Sequence, residues 1–303
     1  QVIQGQVVTN MSDYALWGVY ISNFVFFVAT SFVSTITVAV LRLTKNAWRT
    51  PIVRIAEIIS VAAIIMAGLT IMIDMGRPDR LLYLFIYGRM QSPIIWDVII
   101  IPTFMAIALL LLYFPLLPDF ALLKKHFKNT KPKLSKWYGI LSLNWTGSDA
   151  QKSIHIKSIH LISLLIIPAG FMLQTVDAWL FSTLFRVGWD STNLGAYFIS
   201  GASVAGVGAL VSVAYVLQKA YKLEDYITDY HYDKLGKFLV LVCLVYLYFN
   251  LNEYLIPQLT SKKEATTHIN VLLTGQYAPL FWFVIIGGLI VPIIALMFKK
   301  GRK

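Results

Sequence analysis

Seven long apolar runs constrain this chain more than any other feature of its sequence. They cover roughly residues 15–41, 55–74, 94–117, 158–183, 195–217, 238–256 and 277–298. A helix needs about 20 apolar residues to cross the ~30 Å hydrocarbon core of a bilayer, and each run is about that long. Runs such as IISVAAIIMAGLTIMI also lack the polar stripe of a helix on a soluble protein. We therefore predict an all-α, polytopic membrane protein with about seven transmembrane helices.

The positions of the lysines and arginines predict how the chain is oriented. Twenty of the 26 lie in residues 42–54, 118–157, 218–237 and 299–303. Because cytoplasmic loops are enriched in these residues, we expect a protein of the cytoplasmic membrane with its N-terminus outside and its C-terminus in the cytoplasm. The net charge of +11 is then explained by basic cytoplasmic loops that lie beside anionic lipid. Lipid is an expected partner and nucleic acid is not, since no base-reading motif is present.

The counts of cysteine and histidine limit the redox groups that this chain can hold. Its one cysteine, Cys243, cannot ligate an iron–sulfur cluster alone. Of the five histidines only His160 lies within a predicted span, whereas a transmembrane haem takes two facing imidazoles. We expect no intrinsic haem, iron–sulfur cluster or metal site. If the protein handles electrons, partner subunits must carry them.

Carboxylates in or beside the predicted spans are candidate functional residues, because ionisable groups are costly inside a bilayer. Asp177 lies in the outer half of the fourth span, and Asp74 and Asp97 lie at the outer ends of the second and third. Glu57 lies near the cytoplasmic start of the second span and is a candidate for the entrance of a proton route to the outer face.

These acids also have simpler interpretations, which the sequence leaves open. Asp74 and Asp97 could cap helix ends and pair with Arg77 or Arg80. Glu57 could pair with Arg54, three residues earlier on the same helix, and only anchor the helix end. Asp177 could pair with a neighbouring helix for packing alone.

The fourth predicted span combines a polar face with a helix-disturbing proline. Gln174 and Asp177 are three residues apart and share a face, and Pro168, one to two turns earlier, predicts a kink. Aromatic residues flank this face and suit a flat, amphipathic ligand. In the fifth span, the pairs Gly201/Ala205 and Ala202/Gly206 favour close packing of helices.

Several loop motifs resemble those of one membrane protein family. They are GRPDR and SPIIWD between residues 76 and 97, WRTPIVRIAE at 48–57, GWDSTNLGAYFISGA at 188–202 and NEYL at 252–255. Together they resemble the NrfD/PsrC-type (polysulfide reductase NrfD) membrane subunits, and also the quinol-oxidising membrane subunits of alternative complex III. The resemblance implies four-helix bundles that bind a quinone, menaquinone or similar, near the outer face. Electrons pass to or from an extracytoplasmic iron–sulfur subunit, beyond which lies a molybdopterin or multihaem cytochrome subunit.

The resemblance also implies a division of the chain and a quinone site. Residues 1–183 form the first four-helix bundle with the quinone site, and residues 184–303 form the remaining helices of a second bundle. Relatives usually have eight or more spans, so we expect a further span ahead of Gln1. The residues expected to line the quinone pocket are Gln174, Asp177, Asp74, Arg77, Asn23 and Trp96.

One departure from the family pattern assigns roles within that pocket. Many relatives carry His-Thr-Val where this chain has Gln174-Thr175-Val176. A glutamine can hydrogen-bond a quinone carbonyl but cannot accept a proton from quinol at neutral pH. Asp177 is therefore the expected proton acceptor, and Glu57 the expected start of a proton-translocating route. A redox-inert anchor or scaffold and a proton-coupled transporter remain alternative functions.

Overall fold

The computed structural model describes residues 5–9, 18–46, 48–183, 191–259 and 263–302, which form helices and turns with no strand among them. Seven helical segments in this part of the chain are long and apolar enough to cross a membrane. This confirms the predicted all-α, multi-pass membrane fold. The helices are α1 (Val19–Leu43), α2 (Arg49–Asp74), α3 (Leu81–Ile86), α4 (Pro93–Phe127), α5 (Pro132–Leu141), α6 (Asp149–Ser182), α7 (Leu194–Tyr221), α8 (Asp229–Leu259), α9 (Lys263–Leu273), α10 (Ala278–Ile285) and α11 (Val291–Met297).

The last span consists of α10 and α11 joined by a π-helical turn at Ile286–Ile290. Pro292, the second residue of α11, has no N–H for the regular helical ladder. A wider turn just before it accommodates the lost bond without ending the helix. Ala278–Met297 therefore forms one continuous apolar segment.

Helix α1 lies at the centre of the packing, against α2, α6 and α7. Helix α4 closes a four-helix arrangement by packing on both α2 and α6, and α8 packs on α7. Phe24, Ile64, Phe104 and Leu173 fill the space between the first four spanning helices and are almost fully buried. Because α7 also packs on α1 and α6, it adjoins the first bundle. The predicted division at residue 183 stays a prediction.

Small residues on α7 allow neighbouring helices to approach closely, as their spacing predicted. A Cβ atom on Gly206 would lie 2.6 Å from the Val33 side chain and 2.8 Å from the Ala29 carbonyl oxygen of α1. A Cβ on Gly201 would lie 3.0 Å from the Tyr246 ring of α8. Glycine is required at 206, since the contact there includes main-chain atoms that cannot rotate away.

Three helices extend nine or more residues beyond the predicted spans, all at the end of the bundle where α1 stops and α2 starts. We call this the basic end, and the opposite end, where α3 lies, the α3 end. Helix α4 runs ten residues past 117, α6 begins nine residues before 158, and α8 begins nine residues before 238. His155, expected beside a loop, therefore lies inside α6, where its Nε2 is 2.8 Å from the Phe114 carbonyl oxygen. Hydropathy identifies the part of a helix that crosses the hydrocarbon core. A helix can continue beyond it into the interface, where lysine side chains reach water.

Candidate functional site

Gln174 and Asp177 form the centre of a buried polar group between the spanning helices, toward the α3 end. Both lie within the last three turns of α6, and they are 0% and 1% exposed. Their position depends on Gly170, one turn before Gln174. A Cβ at Gly170 would lie 2.9 Å from the Phe32 ring of α1 and 3.3 Å from the Phe104 ring of α4. The glycine thus lets α6 sink between these helices, and the polar face that follows is buried.

Asp97 lies close to Asp177 across the interface of α4 and α6, near enough for the two carboxyl groups to interact. Asp97 is the fifth residue of α4 and is buried. The interpretation in which it caps its helix and pairs with Arg77 or Arg80 is therefore wrong. Arg77 pairs instead with its exposed neighbour Asp79 at 3.4 Å. The helical position of Asp97 turns its carboxyl toward α6 and away from the loop.

Polar atoms in this group lack hydrogen-bond partners within the described part of the chain. They are both side-chain amide atoms of Gln174, both carboxyl oxygens of Asp177 and Oδ1 of Asp97. Buried polar groups in proteins are almost always paired, and each unpaired one costs about 1–3 kcal/mol. Two adjacent carboxyl groups also repel each other when both are charged. The arrangement is therefore suited to a ligand that both donates and accepts hydrogen bonds and that exchanges protons.

Two tryptophans cover the membrane side of the same helix interface. The rings of Trp96 on α4 and Trp179 on α6 pack edge to face with centroids 6.2 Å apart. The Trp96 indole N–H donates to the Met90 carbonyl oxygen at 2.6 Å, which fixes its orientation. Both indoles are partly exposed, so they lie between the polar group and the lipid. Trp96 thus precedes Asp97 on the first turns of α4, and its contribution to a pocket for a flat ring stays a prediction.

Three other residues predicted for the pocket lie outside the buried group. Asp74 is the last residue of α2 and is partly exposed. Arg77 is exposed in the loop that follows, and Asn23 is exposed on α1. All three are at the α3 end, but the structure does not bury them with Gln174 and Asp177. Their contribution to a shared pocket stays a prediction.

Glu57 belongs to a separate ionic cluster at the basic end. Its fully buried carboxylate forms a salt bridge with Arg42 of α1 and lies 3.7 Å from the guanidinium of Arg54. Arg54 in turn pairs with Asp119 of α4 at 3.0 Å. The interpretation of Glu57 as a paired anchor is thus supported, with Arg42 as an additional partner. On α2 it is 17 residues from Asp74, about 25 Å along a helix.

Sequence reasoning missed the partners of the two most important acids. The sequence alone places Asp97 at the outer end of the third span and Arg42 in the basic segment that follows the first. The positions of these residues along the chain gave some indication of their role. Asp97 is the fourth residue of the third apolar run, and Arg42 directly follows the first run. Recognising either as a partner also requires knowing that α4 packs on α6 and α1 on α2, which one sequence does not reveal.

The fold and the buried polar group define a multi-pass membrane protein with a candidate ligand site between its helices. The family model for polysulphide reductase, NrfD, matches residues 7–303. The chain therefore belongs to the polysulphide reductase NrfD family.

Two relatives extend this comparison. One is a candidate membrane subunit of dimethyl sulfoxide reductase from Halobacterium salinarum, 28% identical over 215 residues, which are 71% of this chain and 46% of that protein. The other is a selenate reductase subunit from Mesobacillus selenatarsenatis, 22% identical over 314 residues, which cover 99% of this chain and 71% of that protein. The matched region is thus less than half of the first relative's length.

Proposed function

We propose that this chain is the quinone-binding membrane subunit of a respiratory reductase complex. The observation that supports this most is the buried group of Gln174, Asp177 and Asp97, with its unmatched polar atoms. A quinone ring carries an oxygen at each end, and the quinol form carries hydroxyl groups there. The Gln174 amide can donate to one oxygen, and a carboxylate can accept from a hydroxyl. The residues present therefore fit the ligand that the family resemblance implies.

Each residue then has a role in moving protons. A bound quinone supplies the two-electron chemistry, since quinol oxidation releases two protons with two electrons and quinone reduction takes up both. Asp177 exchanges a proton with the ring oxygen, as a positioned general acid or base. Asp97 is close enough to share that proton and to disperse the charge. Gln174 orients the ring through its amide, and the indoles of Trp96 and Trp179 provide an apolar wall.

The partner proposed to exchange electrons with the quinone is an extracytoplasmic iron–sulfur subunit, with a molybdopterin or multihaem cytochrome subunit beyond it. The names of the two relatives, both subunits of reductases, support a complex of this kind. The surface proposed to dock this partner lies at the α3 end. There Leu82, Phe85 and Tyr87 are exposed beside Arg80 and Arg89. Such a combination of apolar, aromatic and arginine side chains is typical of protein interfaces.

A proton route from Glu57 to the polar group is a further part of the proposal. Between them, the Ser31 hydroxyl of α1 donates to the Ser60 carbonyl oxygen of α2 at 2.8 Å. The hydroxyls of Ser34 and Thr37 are buried and have no partner among the described residues. Water bridging these hydroxyls would connect the two ends. An inert anchor would need neither this polar line nor the unpaired group, so the oxidoreductase is favoured.

The test is the variant Asp177→Asn in the assembled complex. Asparagine preserves the shape and hydrogen bonding of the side chain but removes the exchangeable proton. Quinone-linked turnover should fall by about 10²–10⁴-fold, the usual contribution of a general acid or base. Binding of an inhibitor that mimics the quinone headgroup should be retained. Turnover and inhibitor affinity are measured on the same preparation.

The matched control is Asp149→Asn, the same change at a fully exposed residue of the same helix. It should leave turnover unchanged. Wild-type turnover in Asp177→Asn would contradict the assigned role. Loss of inhibitor binding in Gln174→Leu but not in Asp149→Asn would further place the headgroup at α6.

A further inference from the structure

A second potential site lies at the basic end of the bundle, where α4 and α5 meet. A cavity of about 540 Å³ opens between them. The ammonium-bearing side chains of Lys124, Lys128 and Lys136 line it, together with the apolar side chains of Ile140 and Leu143. No acidic residue contributes to its lining. The cavity is therefore positively charged on one side and apolar on the other.

The residues that the structure describes do not neutralise this positive charge. Residues 120–148 contain six lysines and no aspartate or glutamate. None of these lysines forms a salt bridge within the described part of the chain. The preceding acid, Asp119, is taken by Arg54 at 3.0 Å. Elsewhere at the basic end, lysines do pair, as Lys219 does with Glu224 and Lys237 with Asp233.

Specific contacts hold the walls of the cavity in place. The Tyr138 ring of α5 stacks on the Phe127 ring of α4 at 5.8 Å between centroids. The Ser135 hydroxyl donates to the Lys124 carbonyl oxygen at 2.9 Å. The Tyr113 hydroxyl donates to the Leu141 carbonyl oxygen at 2.6 Å. Helix α5 is thus fixed on α4, so the three lysines are presented by a built scaffold.

Apolar side chains in and next to the cavity are exposed: Ile140 and Leu143 line it, and Trp137 follows the lining residue Lys136 on α5. Trp137, Ile140 and Leu143 are all at least 60% exposed. They lie on or just after α5, a short helix that packs on the extended end of the spanning helix α4. Tryptophan and aliphatic side chains in such a position can enter the bilayer interface. The cavity therefore opens beside the headgroups and upper acyl chains of the surrounding lipid.

We propose that this cavity binds an anionic phospholipid. The phosphate of the headgroup accepts hydrogen bonds from Lys124, Lys128 and Lys136, and an acyl chain packs along Trp137 and Ile140. Charge complementarity identifies the headgroup, because a zwitterionic lipid would bring a cation of its own to three lysines. The exposed apolar rim identifies a lipid over a soluble phosphate. This site is independent of the proposed quinone function.

The test compares two triple variants of the full chain in detergent. One changes Lys124, Lys128 and Lys136 to glutamine. The control changes Lys152, Lys219 and Lys237 to glutamine; these lysines lie at the same end but are paired with acids. Both lose three charges, so diffuse attraction of anionic lipid falls equally. Phosphatidylglycerol and phosphatidylcholine are titrated and the bound lipid is counted by native mass spectrometry.

Wild type and the control should retain phosphatidylglycerol in preference to phosphatidylcholine. The cavity variant should lose about 100-fold in phosphatidylglycerol affinity, since three lysines each contribute about fivefold near an anionic surface. Equal losses in both triple variants would overturn the proposal. If the cavity variant does not fold, the single variant Lys136→Gln, on the exposed face of α5, replaces it and should lose about fivefold in phosphatidylglycerol affinity.

A second arm separates the lipid from free phosphate. Trp137→Ser with Ile140→Ser keeps all three lysines and removes the apolar rim. This variant should bind phosphatidylglycerol more weakly while its affinity for inorganic phosphate matches wild type. Two results would show that the cavity binds phosphate and not a lipid. One is tight binding of inorganic phosphate by the wild type; the other is a lipid affinity that the rim variant keeps in full.

Discussion

Gln174→Leu should stabilise the quinone-free protein, contrary to the usual effect of changing a fully buried residue. The Gln174 amide is 0% exposed and neither its nitrogen nor its oxygen has a partner among the described residues. An unpaired buried polar group costs about 1–3 kcal/mol, and leucine has a similar volume without that cost. We therefore expect the free energy of unfolding to rise by about 1–3 kcal/mol in the variant.

Saturating quinone should reverse the sign of this difference. A ligand present at about 1,000 times its dissociation constant stabilises the protein that binds it by about 4.1 kcal/mol, which exceeds the variant's advantage of about 1–3 kcal/mol. Wild type gains this amount, whereas the variant, without the amide, gains much less. Unfolding is measured by denaturant titration in a fixed detergent, with and without quinone, on the same preparations.

The control for this prediction is Thr175→Val at the next position of α6. The Thr175 hydroxyl donates to the Phe171 carbonyl oxygen of its own helix at 2.7 Å, so its removal should change stability little, with or without quinone. The reasoning is refuted if Gln174→Leu destabilises the quinone-free protein by 1 kcal/mol or more. That result would mean that the amide is already satisfied and does not await a ligand.

Three further results are expected. Glu57→Gln should lower the free energy of unfolding by roughly 3–5 kcal/mol, because it leaves the Arg42 guanidinium in the interior without its carboxylate. Unchanged stability together with slowed turnover would contradict the anchoring role and favour the proton route. Gly206→Leu should prevent stable assembly, because α1 main-chain atoms occupy the space a side chain needs, and normal yield of folded protein would contradict the packing. The isolated chain should show no haem or iron–sulfur absorbance, and a stoichiometric Soret band would refute this.

The spanning helices were predictable because each depends on a local property. Hydropathy over about 20 residues located α1, for example, at residues 15–41 against the observed Val19–Leu43. The helix extensions at the basic end were not predictable in this way, because lysine-rich segments such as Asp149 to Lys157 are helical without being apolar.

The candidate site was predictable only in part. The spacing of Gln174 and Asp177 on one helix identified half of it, since residues three apart share a face. The other half, Asp97, depends on the packing of α4 against α6, which is a long-range contact. The Arg42 partner of Glu57 was missed for the same reason. Local periodicity shows which residues share a face, but it does not show which face of another helix lies opposite.

The position of the quinone headgroup tests the central proposal most directly. A structure of the complete complex with bound quinone, or photolabelling with an azido-quinone followed by peptide mapping, would locate it. We expect the ring between α4 and α6, with its oxygens at hydrogen-bonding distance from Gln174 and Asp177 and Asp97 beside them. A headgroup bound at the basic end near Glu57, or between α7 and α8, would contradict the proposal.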